Sequence, residues 1–265
     1  CIFDGVGDNS YRAIQASGSN QLTVENSIFQ NGWYVSLQGL FAQLNVINST
    51  FTNVKSGINV QGPAGNTVTI DNTDFSVIAK GATKDTYGVR FATETAGTGG
   101  NLTITNSSFV VDKNGFVAEP ETYHSAIIIR AGATGALKVE NSSILGEVVN
   151  LTTSNTLDAS PNWWGSIAGP AAGTVVGTAE YAPWCGDAEC SFLVYPMVGT
   201  DLQASIDATP AGGTLYVPAG TYTDAVGGVV GGYSTYGYQV GGITLILADG
   251  VVIANPGDSC FSIVG

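Results

Sequence analysis

The sequence predicts an all-β solenoid, a parallel β-helix with three short strands per coil. Two observations carry the prediction. An eight-residue core recurs five times, first as Leu22-Thr23-Val24-Glu25-Asn26-Ser27-Ile28-Phe29 and last as Leu137-Lys138-Val139-Glu140-Asn141-Ser142-Ser143-Ile144. Its copies begin 22, 24, 34 and 35 residues apart, so a constant rung is joined by spacers of elastic length. Helical periodicity is nearly absent over the same stretch.

Within each copy the first and third residues are aliphatic and the second and fourth mostly polar. That alternation marks a strand with one buried face. The fifth residue is Asn in every copy, at 26, 48, 72, 106 and 141. Asn tolerates the left-handed backbone region and suits a tight turn. One Asn per coil predicts a buried Asn ladder of side-chain hydrogen bonds. The sixth residue is always Ser or Thr, and the eighth is Phe29, Phe51, Phe75, Phe109 and then Ile144, which predicts a Phe stack inside. Spacer strands are expected at 13–16, 34–37, 57–60, 87–91 and 126–130. Strands this short bury a core only when stacked in register, each coil adding about 4.8 Å of rise.

Cys1-Ile2-Phe3-Asp4-Gly5 aligns with the second half of the core, with Phe3 in the Phe column. The sequence is therefore expected to enter mid-coil, as a fragment or processed product. Beyond the last repeat come Asn162-Trp163-Trp164-Gly165 and Tyr181-Ala182-Pro183-Trp184. Trp163, Trp164 and Trp184 fit a cap, because an open solenoid end exposes unpaired edges and apolar core. A sugar-stacking platform is the other reading of these rings. Cys185 and Cys190 enclose a short acidic loop and read as a local disulfide, with a zinc site as the rival. Cys1 and Cys260 read either as buried thiols or as an inter-unit contact or cross-link.

A short amphipathic helix is expected at 201–208, followed by strands around Val217-Pro218-Ala219-Gly220-Thr221-Tyr222 and 243–253, with a mobile or partner-facing loop at 233–238 between them. The organisation read from the sequence is 1–184, the closing coils and cap of one unit; 185–200, a junction with the Cys pair; and 201–265, the capping helix and opening coils of the next.

The repeated coils resemble those of right-handed parallel β-helix proteins of the pectin-lyase-like superfamily, of the bacterial and archaeal surface type. The two Trp runs are similar to a closing coil of such proteins, and the Val-Pro-Ala-Gly-Thr-Tyr run to an opening one. The resemblance implies either an enzyme or a scaffold. Polygalacturonase-like members carry an adjacent Asp pair with Gly-His-Gly and Arg-Ile-Lys runs; here no Asp-Asp occurs and His124 is the only histidine. Pectate-lyase-like members use calcium carboxylates with an Arg or Lys base. In an enzyme of that kind Arg130, Arg90 and Asp74 would be catalytic, and Asp71, Asp74 and Asp112 are weak calcium candidates.

A formal charge of −13 with eight Lys plus Arg argues against nucleic acid and anionic membrane surfaces as partners, and equally against tight polyanion binding. The most apolar run, 243–254, is interrupted by Asp249-Gly250 and too short to span a bilayer. The sequence therefore points to a non-catalytic extracellular or cell-surface structural protein, a repeating unit of a filament, sheath, surface layer or adhesin. Its expected partners are copies of itself, or tandem units of one chain, joined head-to-tail. The alternatives are a lyase or hydrolase of an acidic polysaccharide and a carbohydrate-binding adhesin. No cofactor is expected, calcium being the one ion left open. Five Asn-x-Ser/Thr sequons lie at Asn48, Asn101, Asn106, Asn141 and Asn150; with the ladder column expected to be buried, Asn101 and Asn150 are the glycosylation candidates.

Overall fold

A computed structural model describes residues 1–5, 12–32, 34–79, 85–117, 122–223, 226–230, 233–254 and 261–263. The chain is 53% strand and 3% helix. Its long parallel sheets, one nearly closed, are solenoid-like and compatible with a parallel β-helix. Two compact units divide it: 1–165 with 170–181, and 166–169 with 182–265.

In the first unit every copy of the core lies in register on the next. Leu22 pairs with Leu44, Leu44 with Val68, Val68 with Leu102 and Leu102 with Leu137. The ladder runs two rungs beyond the last recognisable copy, to Leu157 and then Ala179. Spacer strands form a second parallel column, Ile14 to Leu37, Ile58, Val89, Ile127, Val148 and Val175. The first two coils run the spacer and core strands together as Arg12–Glu25 and Val35–Ile47, and these long strands join both columns into one sheet.

The Phe strands make a separate seven-stranded sheet from Ile2–Asp4 to Asn162–Trp163. Phe3, Phe29, Phe51, Phe75 and Phe109 stack ring on ring with centroids 4.6–4.8 Å apart, the spacing that parallel strands impose on any in-register column. Gly57 and Gly88 let the spacer strands approach this stack. A Cβ on Gly88 would lie 2.7 Å from the Phe109 ring, and one on Gly57 would lie 2.9 Å from Phe75.

The predicted Asn column is present but turned outward, which corrects the expectation of a buried ladder. Asn26, Asn48, Asn72, Asn106 and Asn141 all have φ between 46° and 51° and all are exposed. Only one Asn–Asn bond links them, Asn72 Nδ2 donating to Asn48 Oδ1 at 2.8 Å. The interior position belongs instead to the sixth residue. Ser27, Ser49, Thr73, Ser107 and Ser142 are buried, and each hydroxyl donates to the carbonyl two residues back at 2.7–3.0 Å. Several also accept from the coil before: Ser27 N–H donates to Ser49 Oγ, Thr73 N–H to Ser107 Oγ and Ser107 N–H to Ser142 Oγ, at 3.1–3.3 Å. A left-handed Asn bends the chain at its own Cα, and the next residue turns its side chain inward, where a hydroxyl satisfies backbone groups that the bend leaves without partners.

In the second unit, Leu202–Ala208 is a helix whose N-cap Asp201 accepts from Ala204 N–H. Leu202 and Ile206 pack with Leu215, Val217 and Tyr222, while Ile243, Leu245, Val251 and Ile253 join that core only partly buried. Strands Thr214–Val217 and Thr244–Leu247 pair in parallel, as do Gly220–Tyr222 and Val251–Ile253. The loop expected at 233–238 is instead a strand, Tyr233–Val240, pairing antiparallel with Val226–Val230. Its three tyrosines with Thr235 and Val240 are residue types that favour a strand, despite the flanking glycines.

Candidate functional site

Arg90 and Arg130 share the same two carboxylates, although the register pairs Arg90 with Ile128. Arg90 lies on Thr86–Phe91 and Arg130 directly follows His124–Ile129, with Phe91 paired to Ile129. Their partners are Asp85 and Glu94. Arg130 Nη2 binds Asp85, and its Nη1 lies 3.1 Å from Glu94 Oε1. Arg90 reaches the same carboxylates at 3.6 and 3.9 Å. Tyr123 N–H donates to Asp85 at 3.0 Å and the Tyr123 ring lies 5.3 Å below the Arg130 guanidinium. Two cations and two anions thus form a neutral quartet, with Arg130 buried. The Arg130 guanidinium is an ion-pair partner of both carboxylates. Beside it, burial pushes the Tyr87 phenol up to about 12, partly offset by Arg90.

The three carboxylates picked from the sequence lie elsewhere. Asp74 accepts the Ser108 hydroxyl on the Phe sheet. Asp71, ending Thr67–Asp71, accepts from the Thr105 hydroxyl at 2.7 Å and the Asn106 amide at 2.8 Å, in that order the causes that hold its carboxyl below the ordinary value. Asp112 accepts from Asn114 N–H at 2.7 Å. Among the described residues no group of three or more His, Cys, Asp or Glu is placed to hold a metal ion.

A second cation–aromatic group occupies the same spacer column. The Tyr34 ring has the Arg12 guanidinium at 5.8 Å and the Lys55 ammonium at 5.4 Å. Neither Asp85, Glu94 nor Tyr34 was legible as a site residue, because all lie in the variable spacers.

Cys185 and Cys190 form the expected disulfide. Cys1 is a free, exposed thiol, so it is not a buried one; Cys260 lies outside the described residues. The Trp run has a structural account in register. Asn162 pairs with Ser142 in the hydroxyl column and Trp163 with Ser143, so the next residue, Trp164, continues the Phe column after Ile144. Asn162 is buried; its Oδ1 accepts from Ser142 N–H at 2.9 Å, and its Nδ2 donates to Val139 O and Ala159 O, both at 2.7 Å. Trp164 meets Tyr181 edge-on, with centroids 6.4 Å apart. In the second unit Trp184 Nε1 donates to Ile167 O at 3.0 Å. Trp164 and Trp184 are buried and offer no open ring to a sugar; Trp163 is half-buried.

The sequons sort differently from expectation. Asn150 is only 2% exposed. Its Nδ2 donates to Asn155 O and Thr178 O, and its Oδ1 accepts from Thr152. Asn101 is exposed, with Oδ1 accepting from Ala136 N–H at 2.9 Å.

No family model, no curated protein and no solved structure matches the chain. Among the described residues no helix is long and apolar enough to cross a membrane.

Proposed function

We propose that the chain is a non-catalytic stretch of right-handed parallel β-helix, of the pectin-lyase-like kind, serving as a structural element of an extracellular surface protein that grows by stacking coil on coil. One observation carries this reading. In the first unit the Phe strands pair in parallel from coil to coil, and Phe3, Phe29, Phe51, Phe75 and Phe109 stack at 4.6–4.8 Å, so each coil meets the next with the same strand edge and the same ring. A coil built this way is a template for the next, whether that coil belongs to a tandem unit of one chain or to a second copy. The Cys185–Cys190 disulfide supports an oxidising location.

Light scattering and electron microscopy over a concentration series test the reading. Concentration-dependent, end-to-end assembly that Phe3→Asp abolishes is the expected result; a monodisperse 27.1 kDa monomer overturns it. Unsaturated sugar release from pectin, alginate or a glycosaminoglycan, lost in Arg130→Ala, would replace it with a polysaccharide lyase.

A second reading, a carbohydrate-binding adhesin, draws support from the spacer column. Arg12, Lys55, Arg90 and Arg130, half of the chain's eight Lys and Arg, gather there beside Tyr34 and Tyr123. Aromatic faces with neighbouring donors suit a sugar surface. Loss of binding to a glycan array in Tyr34→Ala would favour it.

A further inference from the structure

Exposure leaves Asn101 open, closes Asn150 and brings the turn-column sequons Asn48, Asn106 and Asn141 to the surface. We propose that the outward turn column is an N-glycan acceptor site, with Asn141 its primary position and Asn48 its second, and that Asn150 is closed to modification in the folded chain. The proposal rests on the extracellular reading given above.

Asn141 combines four properties. It is exposed, it sits in a left-handed turn with φ 51°, its side chain has no hydrogen-bond partner among the described residues, and Ser143 stands half-exposed two residues on. Its rung neighbour on one side is Pro161, whose carbonyl receives the Asn141 N–H, so no second amide crowds it from there. Asn48 is also exposed, and although its Oδ1 accepts from Asn72, no described group holds its Nδ2. Asn106 is less available because its Nδ2 already donates to Asp71 at 2.8 Å. Asn150 has its donor and acceptor atoms engaged inside the fold.

The chemistry uses a lipid-diphosphate-linked oligosaccharide as donor. The Asn Nδ2 forms a bond to the anomeric carbon, the bond from that carbon to the diphosphate oxygen breaks, the lipid diphosphate leaves with the electron pair, and the amide gives up one proton. Register adds a constraint. Thr105 pairs with Glu140, so Asn106 and Asn141 are adjacent rungs, about 4.8 Å apart. A pyranose is wider than that, so the two asparagines exclude each other.

The test is made on the folded, purified chain with a single-subunit oligosaccharyltransferase that reads Asn-x-Ser/Thr and its lipid-diphosphate donor, followed by glycopeptide and intact-mass spectrometry. Working on purified protein separates acceptor geometry from any question of native secretion. Glycan on Asn141 and Asn48 is expected, with none on Asn150. Asn141→Gln should lose the first glycan and gain one on Asn106. Glycan on Asn150 of the folded chain, on Asn106 and Asn141 of one molecule, or on no residue of the turn column overturns the proposal.

Discussion

The fifth and sixth residues of each repeat are neighbours with the same regularity in sequence and opposite fates in the fold. The asparagines stand in solvent; the Ser and Thr residues beside them are buried and bonded from coil to coil. The Phe column belongs with the second group. Regular recurrence therefore reports a geometric role and says nothing of which side of the wall a residue occupies. In the Asn column the recurring quantity is a backbone torsion. In the hydroxyl and Phe columns it is an interior contact.

The sharpest test of that contrast is in the stack. Phe75 lies between Phe51 and Phe109, with rings 4.8 and 4.7 Å away. Phe75→Ala is expected to lower stability by about 3–5 kcal/mol through lost burial and the cavity left behind. Urea denaturation of the purified variant measures it, and a midpoint equal to the parent's would mean the column does not hold the coils together.

The hydroxyl column comes next. Ser107→Ala deprives buried Thr73 N–H of its acceptor and Thr105 O of a donor, an expected loss of about 1–3 kcal/mol. Ser107→Thr should cost far less, because Thr73 already fills the same position in a neighbouring rung. If alanine and threonine behave alike in denaturation, the buried hydroxyl is filler and the contrast with the Asn column narrows.

Replacing an outward asparagine probes the torsion alone. Asn72 has φ 46°, so Asn72→Val is expected to cost about 1–2 kcal/mol from the left-handed strain of a side chain branched at Cβ. Asn72→Gly, which removes the amide but keeps the turn, should lie near zero apart from added chain entropy. A glycine variant as unstable as the valine one would restore the ladder as the column's purpose.

These predictions also mark what was legible beforehand. The strand register from Leu22 to Leu137 and the Phe stack could be read because period-two alternation survives in every copy and ring identity in all but the last, where Ile144 stands. Which way Asn48 or Asn106 faces could not, since a left-handed residue is compatible with either side until the next residue's burial is known. The Asp85–Arg90–Glu94–Arg130 quartet was hidden for another reason. Its members come from spacers of unequal length, and only stacking brings Arg130 to residues more than thirty positions earlier in sequence. Asn162 and Trp164 were recognisable as a motif, but their role as enlarged forms of Ser and Phe in the last rung needed the register to be seen.

The smallest expected effect lies on the outer face, where the Asp71 carboxylate holds the outward Asn106 of the next rung together with its neighbour Thr105. Asp71 takes hydrogen bonds from Thr105 and Asn106 that hold its carboxyl below the ordinary 3.8. A carboxyl lowered by folding adds stability above its unfolded value and loses it as pH falls through the folded one. The parent's thermal midpoint should therefore drop more steeply with acid below 3.8 than that of Asp71→Asn, whose amide oxygen still accepts from Thr105 but has no charge to lose. The group is largely solvent-facing, so screening keeps the difference small. Parallel acid profiles for the two proteins would show that the Thr105 and Asn106 contacts are made no better by the carboxylate than by a neutral amide, and that the outer column is held by torsion alone.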